Sequence, residues 1–394
     1  MTVESGVRLE LDAAISRLTG TAKALAIFGV SRIVILMGFA FSATYLKPNS
    51  GPGIWNIVAP WWRYLLRYDS AYYLDIASYG YNYNGNPQAM QSIVFFPGYP
   101  LLFRVVAGML RISLPFSAVF VSNLCAAGAV VLLFRLVARL WDEDTALATV
   151  AVVSLFPASL FLSAGYAESA GLLFTVAAFA LLFRGRVALA AVCAGCMSGI
   201  RPLGFLLAIP LVYAVWRDTG RRFSLRFLGY ACAAGAAAES GLMGFMLYCW
   251  IKFHDPLVFV HARAAWKGEG GGLPPGQAAW RQLTAGVVFQ YLPNLSDSWF
   301  FLAFAGIAIA LWRRFPPELN LYTAATLLAL LGTRVFQEPG FTSMNRYMML
   351  LFPCMIGMAL IAVRRVWLMA SMAAVFGAML FMHAAFFAQW YWAG

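Results

Sequence analysis

The stretch "SIVFFPGYPLLFRVVAGML", residues 92–110, decides how the chain is threaded. It is long enough to cross a bilayer, which takes about 20 mostly apolar residues, but it is interrupted by Pro97, Pro100 and Arg104. If it crossed, Arg135, Arg139, Arg184 and Arg186 would all fall on the outer side, against the cytoplasmic excess of Lys and Arg in membrane proteins. It is therefore read as a helix that dips into the outer leaflet and returns. That choice fixes the side of every later segment.

Outward from it, the composition is that of a membrane protein. Of 394 residues, 62% are hydrophobic and 11% charged, and the mean hydropathy is +0.75, far from the roughly 25% charged residues of soluble domains. Apolar runs recur from about residue 24 to 390, room for roughly ten to twelve spans. The expected fold is a single all-α polytopic membrane domain over 1–394. The net charge of +12 could suit nucleic acid, but in a multispan chain the positive-inside rule explains it. Arginines at 135 and 139, 184 and 186, 217 to 226, 313 and 314, and 364 and 365 mark the cytoplasmic loops.

With the N-terminus inside, residues 1–20 read as a weakly amphipathic cytosolic helix against the membrane, through Leu9, Leu11, Ile15 and Leu18. The first span covers about 24–46, and the first outer loop runs 47–115. Spans follow at about 117–135, 145–163, 168–183, 187–199, 202–216 and 226–251. A second outer loop, 252–297, contains "GEGGGLPPG" at 268–276, whose glycines and prolines suit a mobile flap. Spans at about 298–313, 319–336, 346–363 and 366–390 close the chain. The total is about eleven. Neither a repeat of 20 to 50 residues nor an inverted duplication is evident.

Charges in or near hydrocarbon cost several kcal/mol unless paired, so they are candidate functional groups. Asp69, in the outer loop, starts an interfacial helix with Tyr72 and Tyr73 on its face at i+3 and i+4. Asp75, six residues on, points elsewhere, so there is one carboxylate here rather than an acid pair. Glu168 in "SAGYAES", Arg201 in "SGIRPLG" and Arg346 in "MNRYMMLLFP" sit at outer ends of spans, sharing a face with Asp69. Bland roles remain open: Asp69 and Glu168 as helix-start acids, and the arginines as snorkelling cations, Arg201 with no evident partner.

Other polar residues carry less. Glu239 is mid-span among small residues, where it serves helix packing or pairs with an arginine. His254 and Asp255 open the second outer loop, followed by His261, Arg263 and Trp266, which fit an interfacial helix as well as a ligand site. His383 is a packing residue. "WDED", 141–144, is a solvated cytoplasmic loop. The six cysteines lie in apolar runs, and the CxxC pair Cys193 and Cys196 has neither a second pair nor a histidine cluster beside it.

Six segments in order resemble the PIG-V type of GPI mannosyltransferase and its bacterial relatives, within the GT-C glycosyltransferases that use lipid-phosphate sugars. They are "RYDSAYYLDIASYGY", "FFPGYPLL", "FPASLFLSAGYAES", "GIRPLG", "DPLVFVHARAAW" and "NRYMMLLFP". Tyr68 stands where that family has tryptophan, and Gly98 interrupts its phenylalanine-proline-tyrosine-proline element. The resemblance implies an inverting transfer of a sugar, mannose by the family's habit, from a polyprenyl-phosphate donor to a lipid or glycan hydroxyl at the outer face of a bacterial inner membrane. Asp69 would be the general base. Arg201 and Arg346 would hold the donor phosphate, Glu168 would position sugar hydroxyls or the base, and Ser70, Tyr73, Arg263 and Trp266 would be substrate contacts. No cofactor or divalent metal is expected. A secondary transporter or a non-catalytic scaffold are the rival readings; a transporter would gather its charges at the midplane and show repeat symmetry.

Overall fold

The computed structural model describes residues 3–49, 60–266, 292–331 and 343–392. Among these every regular element is helical. The helices are α1 Val3–Tyr45, α2 Ser70–Tyr79, α3 Gly98–Leu110, α4 Leu114–Leu140, α5 Glu143–Leu155, α6 Glu168–Leu182, α7 Val187–Ile200 and α8 Ala208–Asp218. They continue with α9 Leu225–Ala238, α10 Ser240–Phe253, α11 Val258–His261, α12 Leu292–Ala310, α13 Pro317–Leu330, α14 Met344–Met348, α15 Phe352–Ala362 and α16 Val366–Ala388.

Three stretches are long and apolar enough to cross a membrane unaided: Leu18–Tyr45, Leu114–Leu140 and Val366–Ala388. Most of the others are shorter helices joined end to end by 3-10 turns. Pro157–Leu162 extends the path of α5, and Pro202–Leu207 leads into α8. The bundle is built from neighbours in sequence, α4 against α5 and α6, and α6 against α7, while α1 packs on α16 from the far end of the chain.

The deciding segment is broken at residues 95–97. It forms a 3-10 turn, Ser92–Val94, and the 13-residue α3, about 20 Å long at 1.5 Å per residue, against the ~30 Å of a hydrocarbon core. Helix α3 stops at Arg111, whose left-handed φ of 55° reverses the chain into α4. Tyr99 then ties its start to α4, donating to Ala118 O at 2.9 Å and lying 2.8 Å from Ser122 Oγ. At the other end of the bundle the arginine-bearing connections meet: Trp141 packs on Phe315, Arg217 pairs with Glu318, and Lys23 Nζ lies 3.3 Å from Glu143.

Three expectations change. Residues 3–20 are not a helix separate from the first span: α1 is one helix from Val3 to Tyr45. Gly20 lies within this helix, and the Phe134 ring occupies the space a Cβ there would need. The expected span 226–251 is two helices meeting at Glu239, whose Oε2 is buried with neither a hydrogen-bond partner nor an arginine paired to it among the described residues. In "WDED", Asp142 is an N-cap rather than loose loop, accepting from Thr145 N at 2.7 Å. The 268–276 flap lies outside the described residues.

Small residues permit the closest approach. A Cβ on Gly241 of α10 would strike the backbone of Gly195 and Gly199 in α7, and one on Gly195 would strike Ala237 O. This is the packing mode of membrane helices, which lack a hydrophobic drive to associate.

Candidate active site

The site grows from the turn before α2. A 3-10 turn, Trp61–Leu65, leads to Tyr68, which holds a left-handed φ of 50°. A non-glycine residue there costs roughly 1–2 kcal/mol, so its surroundings must impose it. The Tyr68 ring packs against Phe387, Trp390 and Trp392 at 5.8, 5.3 and 4.9 Å between centroids. Beneath it, Arg67 is buried, donating to Ala388 O at 3.3 Å with its guanidinium 4.7 Å from the Trp390 ring. The Tyr166 hydroxyl closes the turn, accepting from Asp69 N at 3.2 Å and donating to Arg67 O at 3.0 Å. Tyr68 is thus a packing residue on the aromatic run at 387–392. Burial pushes its phenol up to about 12.

The four charges singled out in the sequence meet here. Arg346 Nη1 lies 2.9 Å from Asp69 Oδ2, and Arg346 Nε donates to Glu168 Oε1 at 3.0 Å. Arg201 Nη1 lies 3.1 Å from the same Glu168 oxygen. Two cations therefore balance two anions, as burial requires. Rings enclose the guanidiniums: Arg346 lies 4.9, 4.7 and 5.4 Å from Phe161, Tyr166 and Trp392, and Arg201 lies 4.8 Å from Tyr347.

These positions decide between the alternatives left open above. The Asp69 side chain makes no helix-capping bond. The arginines do not snorkel: their side chains are 7% and 6% exposed. Arg201, expected without a partner, is ion-paired. Its Nη1 nevertheless meets Glu168 off the hydrogen-bonding angle, and that nitrogen and Glu168 Oε2 both lack a hydrogen-bond partner among the described residues. Glu168 is fully buried, so it faces the two guanidiniums rather than an open pocket. Asp69, with 21% of its side chain exposed, is the member of the four that solvent reaches best.

Tyr73 is buried behind these charges, its phenol pushed above the ordinary range first by burial and then by Glu168. Ser70 is also buried, donating to Arg67 O at 3.0 Å, so its hydroxyl serves the turn. Gly98 has a local reason: a Cβ there would collide with Gly199 O and Ile200. The start of α3 thereby presses on the residues just before Arg201. Arg263 and Trp266 sit apart from the ion pairs, in the turn Ala262–Trp266 beside Ser92–Val94. That turn joins a second apolar cluster of Ile76, Ile93, Phe96, Val258 and Phe259, which binds residues 76–96 to residues 258–262. Asp255 and His261 pair with each other at 2.7 Å.

Two polar residues with a place in the site were not singled out from the sequence. Tyr166 was visible only as part of "SAGYAES"; nothing in its spacing shows that its hydroxyl bonds a turn 97 residues earlier. Asp297 is almost wholly buried and accepts from the backbone beside Arg346; an acid near the start of an apolar helix was the available signal.

The family model described as mannosyltransferase (PIG-V) matches residues 38–216, a stretch that includes Asp69, Glu168 and Arg201. The chain is similar to GPI alpha-1,6-mannosyltransferase 2 of Mus musculus, 33% identical over 161 residues, 36% of this chain and 31% of that protein. It is also similar to the Cricetulus griseus protein of that name, 24% identical over 261 residues, 59% of this chain and 50% of that one. The matches thus span 31% and 50% of these two relatives' length. Among solved structures, the apo oligosaccharyltransferase of Archaeoglobus fulgidus aligns with 94% of this chain and 56% of its own, at 14% identity and a TM-score of 0.45.

Proposed function

We propose that this PIG-V-type chain is an inverting glycosyltransferase that moves mannose from a polyprenyl-phosphate donor to a hydroxyl of a lipid or glycan, at the outer face of a bacterial cytoplasmic membrane. The observation that carries the reading is the partly exposed Asp69 carboxylate held 2.9 Å from a buried guanidinium. It offers a base and an anion seat side by side. The relatives' names support mannose as the sugar, and the arginine-rich connections at the opposite end of the bundle support the orientation.

At rest, Asp69 occupies Arg346 as a phosphate would. The donor phosphate displaces it, taking Arg346 and the free Nη1 hydrogen of Arg201. Asp69, released, accepts the proton of the acceptor hydroxyl while that oxygen bonds to the anomeric carbon. The bond from that carbon to the phosphate oxygen breaks, its electron pair leaving with polyprenyl phosphate, whose charge the guanidiniums balance. A β-linked donor gives an α-linked product. Glu168 holds both guanidiniums in register and Tyr166 holds the backbone of Asp69, so positioning is fixed before substrate arrives. The cations are supplied by the chain, and the reaction proceeds without a divalent ion.

The test is transfer from radiolabelled polyprenyl-phosphate mannose into lipid and glycan fractions of membranes carrying the native protein or Asp69→Asn. Loss of a general base is expected to cost about 10² to 10⁴-fold in rate, with the variant still folded. Equal label in both membranes would end this reading.

A further inference from the structure

Asp297 lies in the second turn of α12 and is 1% exposed. A carboxylate buried to that degree needs a counterion or several donors. Among the described residues no lysine or arginine lies within ion-pairing distance of it. Its donors are backbone amides: Asn345 N at 2.8 Å from Oδ1 and Met344 N at 3.1 Å from Oδ2, with the amide of Ser343 also directed to it. These amides open α14, the five-residue helix that carries Arg346.

A helix start leaves its first amides unsatisfied, and a side chain at the N-cap ordinarily takes one of them. Here the N-cap residue Ser343 makes no such bond and holds a left-handed φ of 62°. The cap comes instead from α12, 46 to 48 residues away in sequence. One turn of helix has little stability of its own. Without the carboxylate, neither the strained Ser343 nor the direction of the following residues is determined locally, and Arg346 follows Asn345 directly.

We infer that Asp297 is the positioning residue for Arg346, capping from a separate helix the turn that aims this guanidinium at Asp69 and Glu168. It touches no reacting atom. Its effect on catalysis passes through Arg346, and that part of the inference rests on the function proposed above. The structural part does not.

The test uses the full-length protein in detergent with Asp297→Asn, Asp297→Ala and Asp297→Glu. The first readout needs no activity: the rate at which phenylglyoxal modifies each arginine, measured by mass spectrometry. Arg346 is expected to react roughly tenfold or more faster in the Asn and Ala variants, the factor a lost charge-assisted hydrogen bond implies, while Arg32 and Arg67 keep their native rates. Unchanged protection of Arg346 would overturn the inference. So would a uniform rise at all three arginines in both variants, because Asp297 would then hold the whole fold. The second readout is mannose transfer, with Arg346→Lys alone and combined with Asp297→Asn. If Asp297 acts through Arg346, the Asn substitution costs much less once Arg346 is already changed; independent, multiplying losses would refute that route. Partial recovery is expected in Asp297→Glu. If the native protein transfers no mannose, the proposed reaction falls, and the labelling rates still decide whether Asp297 positions Arg346.

Discussion

Glu168→Gln removes one charge from the cluster and almost no volume. The side chain is wholly buried and its Oε1 serves both Arg346 Nε at 3.0 Å and Arg201 Nη1 at 3.1 Å. Glutamine can still offer Arg346 a carbonyl oxygen, at about half the strength of a charged acceptor. It leaves two buried guanidiniums against Asp69 alone. Breaking a buried ion pair by removing one partner costs about 3–5 kcal/mol; the partial exposure of Asp69 gives water some access, so a loss of about 2–4 kcal/mol is expected. The charge argument makes a sharper claim for the double variant Glu168→Gln, Arg201→Met, which restores balance and replaces a paired cation with an apolar chain of similar length. It should recover more than half of the loss. Equilibrium unfolding in mixed micelles measures both variants against the native protein. A double variant less stable than Glu168→Gln alone would refute the reasoning, because shape rather than charge balance would then govern the cluster.

Tyr166→Phe removes a hydroxyl that joins Asp69 N to Arg67 O; a stability loss of about 1–3 kcal/mol and a lower kcat with little change in donor KM are expected in the transfer assay. Gly98→Ala forces α3 off Gly199 and Ile200, costing roughly 1–3 kcal/mol by overpacking, and should raise donor KM because Arg201 adjoins that contact. Gly241→Ala presses on the α7 backbone at Gly195 and Gly199 and should lower the melting temperature without selectively changing donor KM. Chelation with EDTA is expected to leave the initial transfer rate of the native protein unchanged; a rate restored only by added divalent ion would contradict the proposed chemistry.

Much of the helical pattern was legible because hydropathy and arginine placement are strong signals in a membrane chain. The expected 168–183 and 187–199 became Glu168–Leu182 and Val187–Ile200. The meeting of Asp69, Glu168, Arg201 and Arg346 followed from side-of-membrane bookkeeping, which turns a one-dimensional pattern into a shared face. Pairing within that face was not legible. Nothing local marks Glu168 as the shared partner of two arginines, or Arg201 as paired. Through-space partners such as Tyr166 and Asp297 depend on helix placement that spacing does not encode. Continuity was misread at residues 18–24 because amphipathicity there is weak, while the Phe134 ring that accompanies Gly20 lies more than a hundred residues on.

The ion pair between Asp69 and Arg346 joins positions 277 residues apart, and this has a consequence for biosynthesis. A membrane chain is inserted from its N-terminus as it is translated. Glu168 and Arg201 can neutralise one another as soon as α7 is in place, but Asp69 must wait for most of the remaining chain before its counterion arrives. During that interval it stays hydrated, and the turn at Tyr68 lacks the aromatic run at 387–392 that holds its left-handed backbone. A nascent chain halted before α14 therefore carries Asp69 without its counterion.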